Sequence, residues 1–304
     1  MNYKIYKLKF STGVHFGDGM LNDSMLSLKA DTFFSSLCIE SIKMGCLDKL
    51  IDFAKKRKFV LSDLFPYVDD KLLIPKPNIY IEPKKTGDSI QKKKAKKLKY
   101  IAIDDLGNYL NGEIDEVENY MDKIGEVESF TKVNLTESIA KPFHVGITFY
   151  NKNSGLYVIL GFEDSEVDEI VSDIILGLSV NGIGGKKYSG LGKFDFYSQS
   201  MPSELLKRIE NYEKYNKKMS LSVSLPEERE LKTTLINSSY SLEKRSGFVY
   251  SSESDNITKK KDLFVFSSGS CFENCYEGDI YDVSNGLVNH PVYRYAIPMF
   301  MGVK

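Results

Sequence analysis

The chain has 304 residues, 42% of them hydrophobic, which is enough for one large domain or two smaller ones with buried cores. Its 41 basic and 42 acidic side chains give a formal charge of −1, which argues against a free-standing, non-specific nucleic-acid binder. Four cysteines, no export signal and no bilayer-length apolar run predict a cytoplasmic protein without a membrane partner.

The chain begins with a pattern that predicts a strand, a loop and a helix. Residues 2–10 alternate as a strand does, and 11–19 form a glycine-rich turn that carries His15, Phe16 and Gly17. From about Ala30, apolar residues recur at helical spacing and predict one buried face, made of Phe33, Phe34, Leu37, Cys38 and Ile42. This order begins a ferredoxin-like half.

The next segment carries interrupted helical periodicity and then opposite charges. Residues 47–65 look helical but broken, and 72–74 fit a short strand. Eight lysines fall between 84 and 99, including Lys92, Lys93 and Lys96, and seven acids fall between 113 and 128. We expect 80–135 to be an insertion without a core of its own. A solvated loop and an arm laid along phosphates both remain open.

The predicted core resumes with two strands, 143–150 and 156–162, about a turn at 152–155. Ser165 and Asp168 resemble a capping box at the start of a helix that ends near Gly182, and 193–197 alternates as a strand. Strand, helix, strand therefore occurs twice. This predicts an α+β fold with a ferredoxin-like, RRM-like domain over 1–200.

Between that helix and that strand lies a loop with five glycines and three lysines in twelve positions. Glycine allows close backbone approach and lets N–H groups converge on an anion, so we predict RNA contacts along this loop. The order helix, loop, strand excludes dinucleotide and P-loop motifs. A plain helix C-cap with a long turn is the alternative. The predicted contacts are Gly182, Ile183, Gly184, Gly185, Lys186, Lys187, Tyr188, Ser189, Gly190 and Lys193.

A charged, helical connector is predicted at 201–218, followed by a second, β-rich domain at 219–304. Its expected strands are 221–225, 233–242, 247–250, 263–267 and 292–297, with few helices. Arg245 leads into a glycine turn, which makes it a candidate phosphate contact.

His15 is a titratable residue in a glycine loop, and three roles are open to it. It could be the general base of metal-free RNA cleavage, a stacking or hydrogen-bonding contact to a nucleotide, or a residue that orders its own loop. We favour the contact, and we expect His144 to be structural. We predict no catalytic residue, no metal site and no cofactor, because no nucleophile motif and no complete set of zinc ligands is visible.

Three stretches together resemble a known family. They are Val14-His15-Phe16-Gly17 followed by Ala30-Asp31-Thr32-Phe33-Phe34-Ser35-Ser36-Leu37, the loop from Gly182 to Phe194, and Tyr240-Ser241-Leu242-Glu243-Lys244-Arg245-Ser246-Gly247-Phe248. In them, and in the late stretch 290–295, the chain resembles the RAMP proteins of CRISPR systems, and more closely the fourth subunit of the type III-A Csm effector complex.

That resemblance implies two RRM-like domains that cap the 5′ handle of the guide RNA (crRNA). It also implies a bridge between the large polymerase-like subunit and the backbone RAMP subunit, and the flank of a target RNA is a further candidate partner. It implies no catalytic residue. Two rival functions stay open from the residues: a metal-independent endoribonuclease that matures the guide with His15 as base, and a polyanion-binding protein unrelated to CRISPR.

Overall fold

The computed structural model describes residues 1–17, 19–84, 93, 95–136, 139–249, 258–286 and 288–304, without the side chains of 135–139. Within these ranges the α-helices are α1 Ala30–Met44, α2 Leu47–Lys55, α3 Leu106–Leu110, α4 Met121–Ile124, α5 Ser165–Asn181, α6 Ser203–Glu210 and α7 Glu228–Thr234. The strands are β1 Asn2–Phe10, β2 Phe59–Leu61, β3 Phe65–Val68, β4 Lys71–Pro75, β5 Tyr100–Ala102, β6 Gly125–Thr136, β7 Ile139–Tyr150, β8 Ser154–Phe162, β9 Phe194–Ser200, β10 Lys218–Ser220, β11 Leu242–Arg245, β12 Leu263–Phe266, β13 Cys271–Phe272, β14 Ile280–Asp282, β15 Tyr293–Tyr295 and β16 Phe300–Gly302.

A central antiparallel sheet organises the N-terminal half. Its strands run in the order β5-β4-β3-β8-β1-β9, and β2 also pairs with β8. Ile5 of β1 lies opposite Ile159 of β8, and Tyr6 lies opposite Ser198 of β9. The strands predicted at 2–10, 156–162 and 193–197 are therefore confirmed.

Both faces of the central strands are buried. Successive side chains along these strands point to opposite sides, and each side faces a core of its own. Tyr6 and Leu8 belong to one core, beneath α1 and α5. Ile5 and Tyr157 belong to a second core on the other face, which is shared with α6 and with residues of the C-terminal half, among them Met219 and Met301. The central strands therefore leave no open face for stacking bases, whereas Tyr197 on the edge strand β9 is 47% exposed.

The two long helices follow their predicted positions with two local corrections. The cap of α5 is Asp164, whose side chain accepts a hydrogen bond from Val167 N at 3.1 Å, so Ser165 is inside the helix and does not cap it. The helix then ends at Gly182, which has a φ of +81°. Ile42 of α1 was predicted to be buried, but it is 61% exposed, because it sits in the last turn beyond the packed face.

The strand predicted at 143–150 exists but lies outside the central sheet. It is β7, which pairs with β6 in a long hairpin. The place beside β8 is taken by β2 and β3, from the stretch that looked like a broken helix. These are short, buried apolar runs, in which helical and strand periodicity are hard to tell apart.

The prediction that 80–135 lacks a core is wrong for its C-terminal part. Leu98, Ile101, Tyr109, Ile114 and Val117 pack into a small core of their own. Strand β5 also joins the central sheet through β4, and β6 forms half of the hairpin. The acidic side chains hid this pattern, because apolar residues alternate with them along 113–128.

The C-terminal half contains small sheets: β13-β10-β16, β11-β12 and β14-β15. The strands predicted at 263–267 and 292–297 are present as β12 and β15. Two expectations are wrong: 233–242 begins with the end of α7, and 221–225 follows β10 as an extended segment with one isolated bridge. The predicted second RRM-like layout stays a prediction.

Among the described residues, no helix is both long and apolar enough to cross a membrane.

Candidate nucleic-acid interface

A cleft of about 700 Å³ lies where the two halves meet. It brings together stretches that are far apart in sequence: the loop after β1, the start of α1, the glycine loop, β11 and the segment around 259–260. Of the site residues predicted from sequence, it is lined by His15, Phe16, Gly17, Gly182, Ile183, Gly184, Gly185, Lys187 and Arg245.

The remaining predicted residues lie elsewhere. Lys186, Tyr188, Ser189, Gly190 and Lys193 belong to the same loop but do not line the cleft. Lys93 and Lys96 are exposed and also outside its lining, and Lys92 lies outside the described residues. The described lysines of the lysine-rich segment thus do not line the cleft.

The glycine loop is folded against the chain's own backbone. Ile183 N donates to Gly192 O at 3.0 Å, and Gly185 N donates to His15 O at 2.9 Å. A Cβ on Gly192 would lie 2.0 Å from Ile183 O, and Gly192 has a φ of +80°. These N–H groups are thus used internally. The interpretation that they converge on an anion is wrong for them: the glycines allow two segments of this chain to touch.

The tip of the loop is different, because it is presented to solvent. A 3₁₀ turn spans Lys187–Ser189, and the ring of Tyr188 is 81% exposed. Lys186 has a φ of +59°, and its ammonium lies 5.5 Å from the ring centre of Phe143 on β7. The tip therefore presents cations and an aromatic ring beside the hairpin. These are the two kinds of group with which proteins bind single-stranded nucleic acid.

His15 is buried, with 8% of its surface exposed. Its Nδ1 lies 2.7 Å from Gly146 O, and Nδ1 is the donor because a carbonyl oxygen can only accept. A Cβ on Gly185 would lie 2.6 Å from His15 Cδ2, and one on Gly17 would lie 3.1 Å from Nε2. The ring is therefore held between two glycines, which joins the loop after β1 to the glycine loop.

The base of the cleft is an ion-pair network across the two halves. Arg245 donates from Nε and Nη2 to the two carboxylate oxygens of Asp31, each at 2.9 Å. Arg294 Nη1 also donates to Asp31, and its Nη2 donates to Ser246 O at 2.9 Å. Arg245 further donates to Glu243, at 2.8 Å. The guanidinium of Arg245 is thus engaged by the protein, and its predicted phosphate contact stays a prediction.

The pKa shifts follow from burial and these charges. Burial alone would raise the pKa of Asp31, but Arg245 and Arg294 outweigh it and hold that pKa below its usual value. Burial would lower the pKa of Lys29, yet Asp63 and Glu243 raise it. For Arg294, burial and the neighbouring Arg245 lower the pKa in spite of Asp31. All of these groups remain ionised at neutral pH.

The cleft carries an excess of positive charge. Its basic lining residues are Lys29, Lys187, Lys244, Arg245, Lys259, Lys260 and Arg294, whereas its acidic ones are Asp31 and Glu243. Such an arrangement favours a polyanion. Among the described residues no group of three or more His, Cys, Asp or Glu side chains could hold a metal ion.

Sequence reasoning missed several residues that the cleft uses. Asp31 and Arg294 stood within the stretches that carried the family resemblance, but nothing in their spacing joined them to Arg245. Lys29 and Lys260 gave no sequence signal. Lys29 is the N-cap residue of α1 but makes no side-chain cap hydrogen bond, and Lys260 lies near the end of a polar run. The local sequence pattern could not show that residues from both halves of the chain line one cleft.

A family profile and several known proteins are similar to this chain in sequence. A family profile described as the CRISPR Csm4 C-terminal domain matches residues 213–303. A curated protein from Streptococcus thermophilus, named CRISPR system Cms protein Csm4, is 35% identical and covers 99% of this chain and 98% of its own length. A Mycobacterium tuberculosis protein of the same name is 34% identical over 100% of this chain and 98% of its own.

Solved structures with a similar fold include chains from two kinds of subcomplex. A chain from the Csm3-Csm4 subcomplex of a type III-A CRISPR-Cas interference complex matches with a TM-score of 0.68 and 19% identity, covering 99% of each chain. A chain from a Csm1-Csm4 cassette in complex with AMPPNP matches with a TM-score of 0.62 and 18% identity, covering 99% of this chain and 98% of that one.

Proposed function

The chain belongs to the Csm4 family, the fourth subunit of type III-A CRISPR complexes, and from this premise we propose that it is a non-catalytic subunit that holds the 5′ handle of the guide RNA. The observation that carries the proposal is the convergence of three family-like stretches on one basic cleft. In this arrangement the cleft receives the strand, and the exposed loop tip attracts it.

The burial of the sheet supports the cleft as the RNA site. An RRM commonly stacks bases on the open face of its sheet. Here Ile5 and Tyr157, on the face opposite α1 and α5, are covered by the C-terminal half. A bound strand therefore uses loops at the junction of the halves.

We retain the two-domain division as part of the proposal: 1–200, a connector at 201–218, and 219–304. The order β9-β1-β8-β3, with α1 and α5 packed against one face, supports a ferredoxin-like first domain. The two domains share buried cores, so we infer that they act as one rigid support for the cleft.

The environment of His15 supports a non-catalytic role. A general base must come within hydrogen-bond reach of the proton that it removes. His15 is buried between two glycines and fixed through Nδ1, so it shapes the wall of the cleft. The open alternatives for His15 thus narrow to ordering two loops and contacting a nucleotide through Nε2.

Partners follow from the family. Relatives have been solved together with Csm3 and with Csm1, and we propose that this chain bridges the corresponding backbone and large subunits in the cytoplasm. The hairpin β6-β7 exposes Val127, Phe130 and Val133, which supports it as a contact surface. The flank of a target RNA is a further proposed partner.

The test is binding of repeat-derived handle RNA to the full chain in EDTA, against an unrelated RNA of equal length. We expect preferential binding and no discrete products. A 4-thiouridine in the handle should cross-link to peptides from the loop after β1, the glycine loop and 243–248. Cross-links confined to other surfaces would contradict the cleft.

The rival function is tested on the same preparations with His15→Ala and with His144→Ala as the matched histidine control. His144 is exposed on β7, with Nδ1 3.2 Å from Thr131 Oγ1. We expect His15→Ala alone to weaken binding, by about 5- to 150-fold for a loss of 1–3 kcal/mol. Cleavage at one site by the wild type that stops in His15→Ala would establish the endoribonuclease instead.

A further inference from the structure

Lys260 lies in the wall of the cleft beside the ion-pair network. Its backbone N–H donates to Gly247 O at 2.9 Å, which places the residue next to β11. Burial, and next the charge of Arg294, lower the pKa of its ammonium in spite of Asp31, so this group is partly withdrawn from water and close to another cation. Its surroundings therefore penalise its positive charge.

The other charges of the cleft show why Lys260 stands out. Lys244 and Lys259 pair with Asp262, at 2.8 and 3.5 Å, and Lys29 pairs with Asp63 at 3.3 Å. Within the described part of the chain, no carboxylate forms an ion pair with Lys260. Asp31 is already shared by two arginines.

Arg294 carries a second unsatisfied group at the same place. Its side chain is 6% exposed, and its Nε is buried without a hydrogen-bond partner among the described residues. A buried donor without a partner destabilises the fold, and a partly buried positive charge without an acidic partner does so too. Both side chains line the cleft, so an anion bound there would offset their surplus of positive charge.

We infer that Lys260 and Arg294 form a subsite at the base of the cleft for one phosphate group of the bound strand. This inference rests on the proposed RNA-binding function and adds the group that this part of the cleft recognises. A phosphate accepts from an ammonium and from a guanidinium at once, and its charge would balance the surplus beside Asp31. An internal phosphodiester and a 5′-terminal phosphate share this chemistry.

The first test uses the full chain and Lys260→Met, which keeps the length and apolar stem of the side chain. Lys152→Met is the control, because Lys152 is exposed in the turn before β8 and outside the cleft lining. We expect Lys260→Met to bind handle RNA about tenfold more weakly at 0.1 M salt. Its salt dependence should fall by about 0.7 in the log–log slope, the value for one phosphate on a single strand.

Two handle RNAs separate the sources of the phosphate. If the subsite holds a 5′-terminal phosphate, only the 5′-phosphorylated RNA should show the defect of Lys260→Met. If it holds an internal phosphodiester, the 5′-hydroxyl RNA should show the same defect. An unchanged affinity and slope with both RNAs, while the wild type binds them, would overturn the subsite and leave the proposed function intact.

A second measurement needs no RNA. Because Lys260 lacks a described acidic partner, Lys260→Met should raise Tm by roughly 1–3 °C in chloride, whereas a structural lysine would lower it. Inorganic phosphate at equal ionic strength should raise the Tm of the wild type more than that of Lys260→Met. Equal responses to phosphate, or a lower Tm for the variant in chloride, would contradict the inference even if handle RNA binds.

Discussion

The base of the cleft and the tip of the glycine loop are both basic, but they hold their charges in opposite ways. At the base, Asp31 is 1% exposed and is locked between Arg245 and Arg294. At the tip, Tyr188 is 81% exposed, and Lys186 lies beside an aromatic ring. Buried, paired charges fix geometry, whereas exposed ones act over distance and are screened by salt. The base should therefore govern stability, and the tip should govern attraction of RNA.

The largest effect is expected from Asp31→Ala. Removing the shared acid takes from Arg294 its acidic partner and leaves Arg245 with Glu243 alone, which costs about 3–5 kcal/mol of unfolding free energy. Urea unfolding of the full chain measures this loss. Glu166→Gln, which breaks an exposed pair with Lys49, is the control and should cost much less. Equal losses in the two variants would show that the base has no special structural role.

The dependence of stability on pH gives a second test of the role of Asp31. Since the pKa of Asp31 is lower in the folded chain than its usual value, its ionisation stabilises the fold. That contribution is complete above the usual carboxyl pKa of about 4 and is lost as the pH falls through the lower, folded-state pKa. The stability of Asp31→Asn should consequently fall less steeply below pH 4 than that of the wild type.

The next effect compares two glycines of one loop with nearly equal φ values, +80° at Gly192 and +83° at Gly190. A Cβ on Gly192 would meet Ile183 O at 2.0 Å, whereas one on Gly190 would meet nothing within 4 Å. Gly192→Ala should cost roughly 2–5 kcal/mol, from backbone strain plus overpacking, and Gly190→Ala about 1–2 from strain alone. Similar losses by urea unfolding would mean that the close approach at 192 is readily relaxed.

These contrasts also show what the sequence could predict. Strands β1, β8 and β9 and helix α5 were visible because their apolar residues alternate or recur over whole elements. Strands β2 and β3 were not, since they have three and four residues and are buried. Strand β6 was hidden because its alternating acids resemble a solvated charge run.

The site was predicted in parts. His15, Lys187 and Arg245 were identified and line one cleft, but the sequence could not show that Arg245 is bound by Asp31, which is 214 positions away. It also led us to assign the glycines to contact with RNA, when several of them allow contact between the chain's own segments. Long-range pairing of charges and backbones is set by tertiary packing, which leaves no trace in local spacing.

A smaller effect, on binding alone, is expected at the loop tip. Lys186→Ala combined with Lys187→Ala should leave urea unfolding nearly unchanged, because Lys186 is exposed and Lys187 is only half-buried. Handle-RNA affinity should fall by about tenfold at 0.1 M salt, with the log–log salt slope reduced by about 0.7–1.4, as for one or two phosphates. Titration at several salt concentrations measures both. An unaltered slope would remove the tip from the phosphate contacts.

The smallest effect is expected from Lys93→Ala combined with Lys96→Ala, which tests whether the lysine-rich segment is an arm on RNA or a solvated surface. Both side chains are exposed and lie outside the cleft lining, so a strand held in the cleft has no need of them. They can still contribute long-range attraction, which 0.15 M salt screens beyond about 8 Å. The variant should therefore bind more weakly than the wild type at low salt but match it near 0.15 M, in equilibrium titrations beside the loop-tip variant. If its salt slope falls as far as that of the loop-tip variant, the lysine-rich segment contacts phosphates directly and the strand extends beyond the cleft.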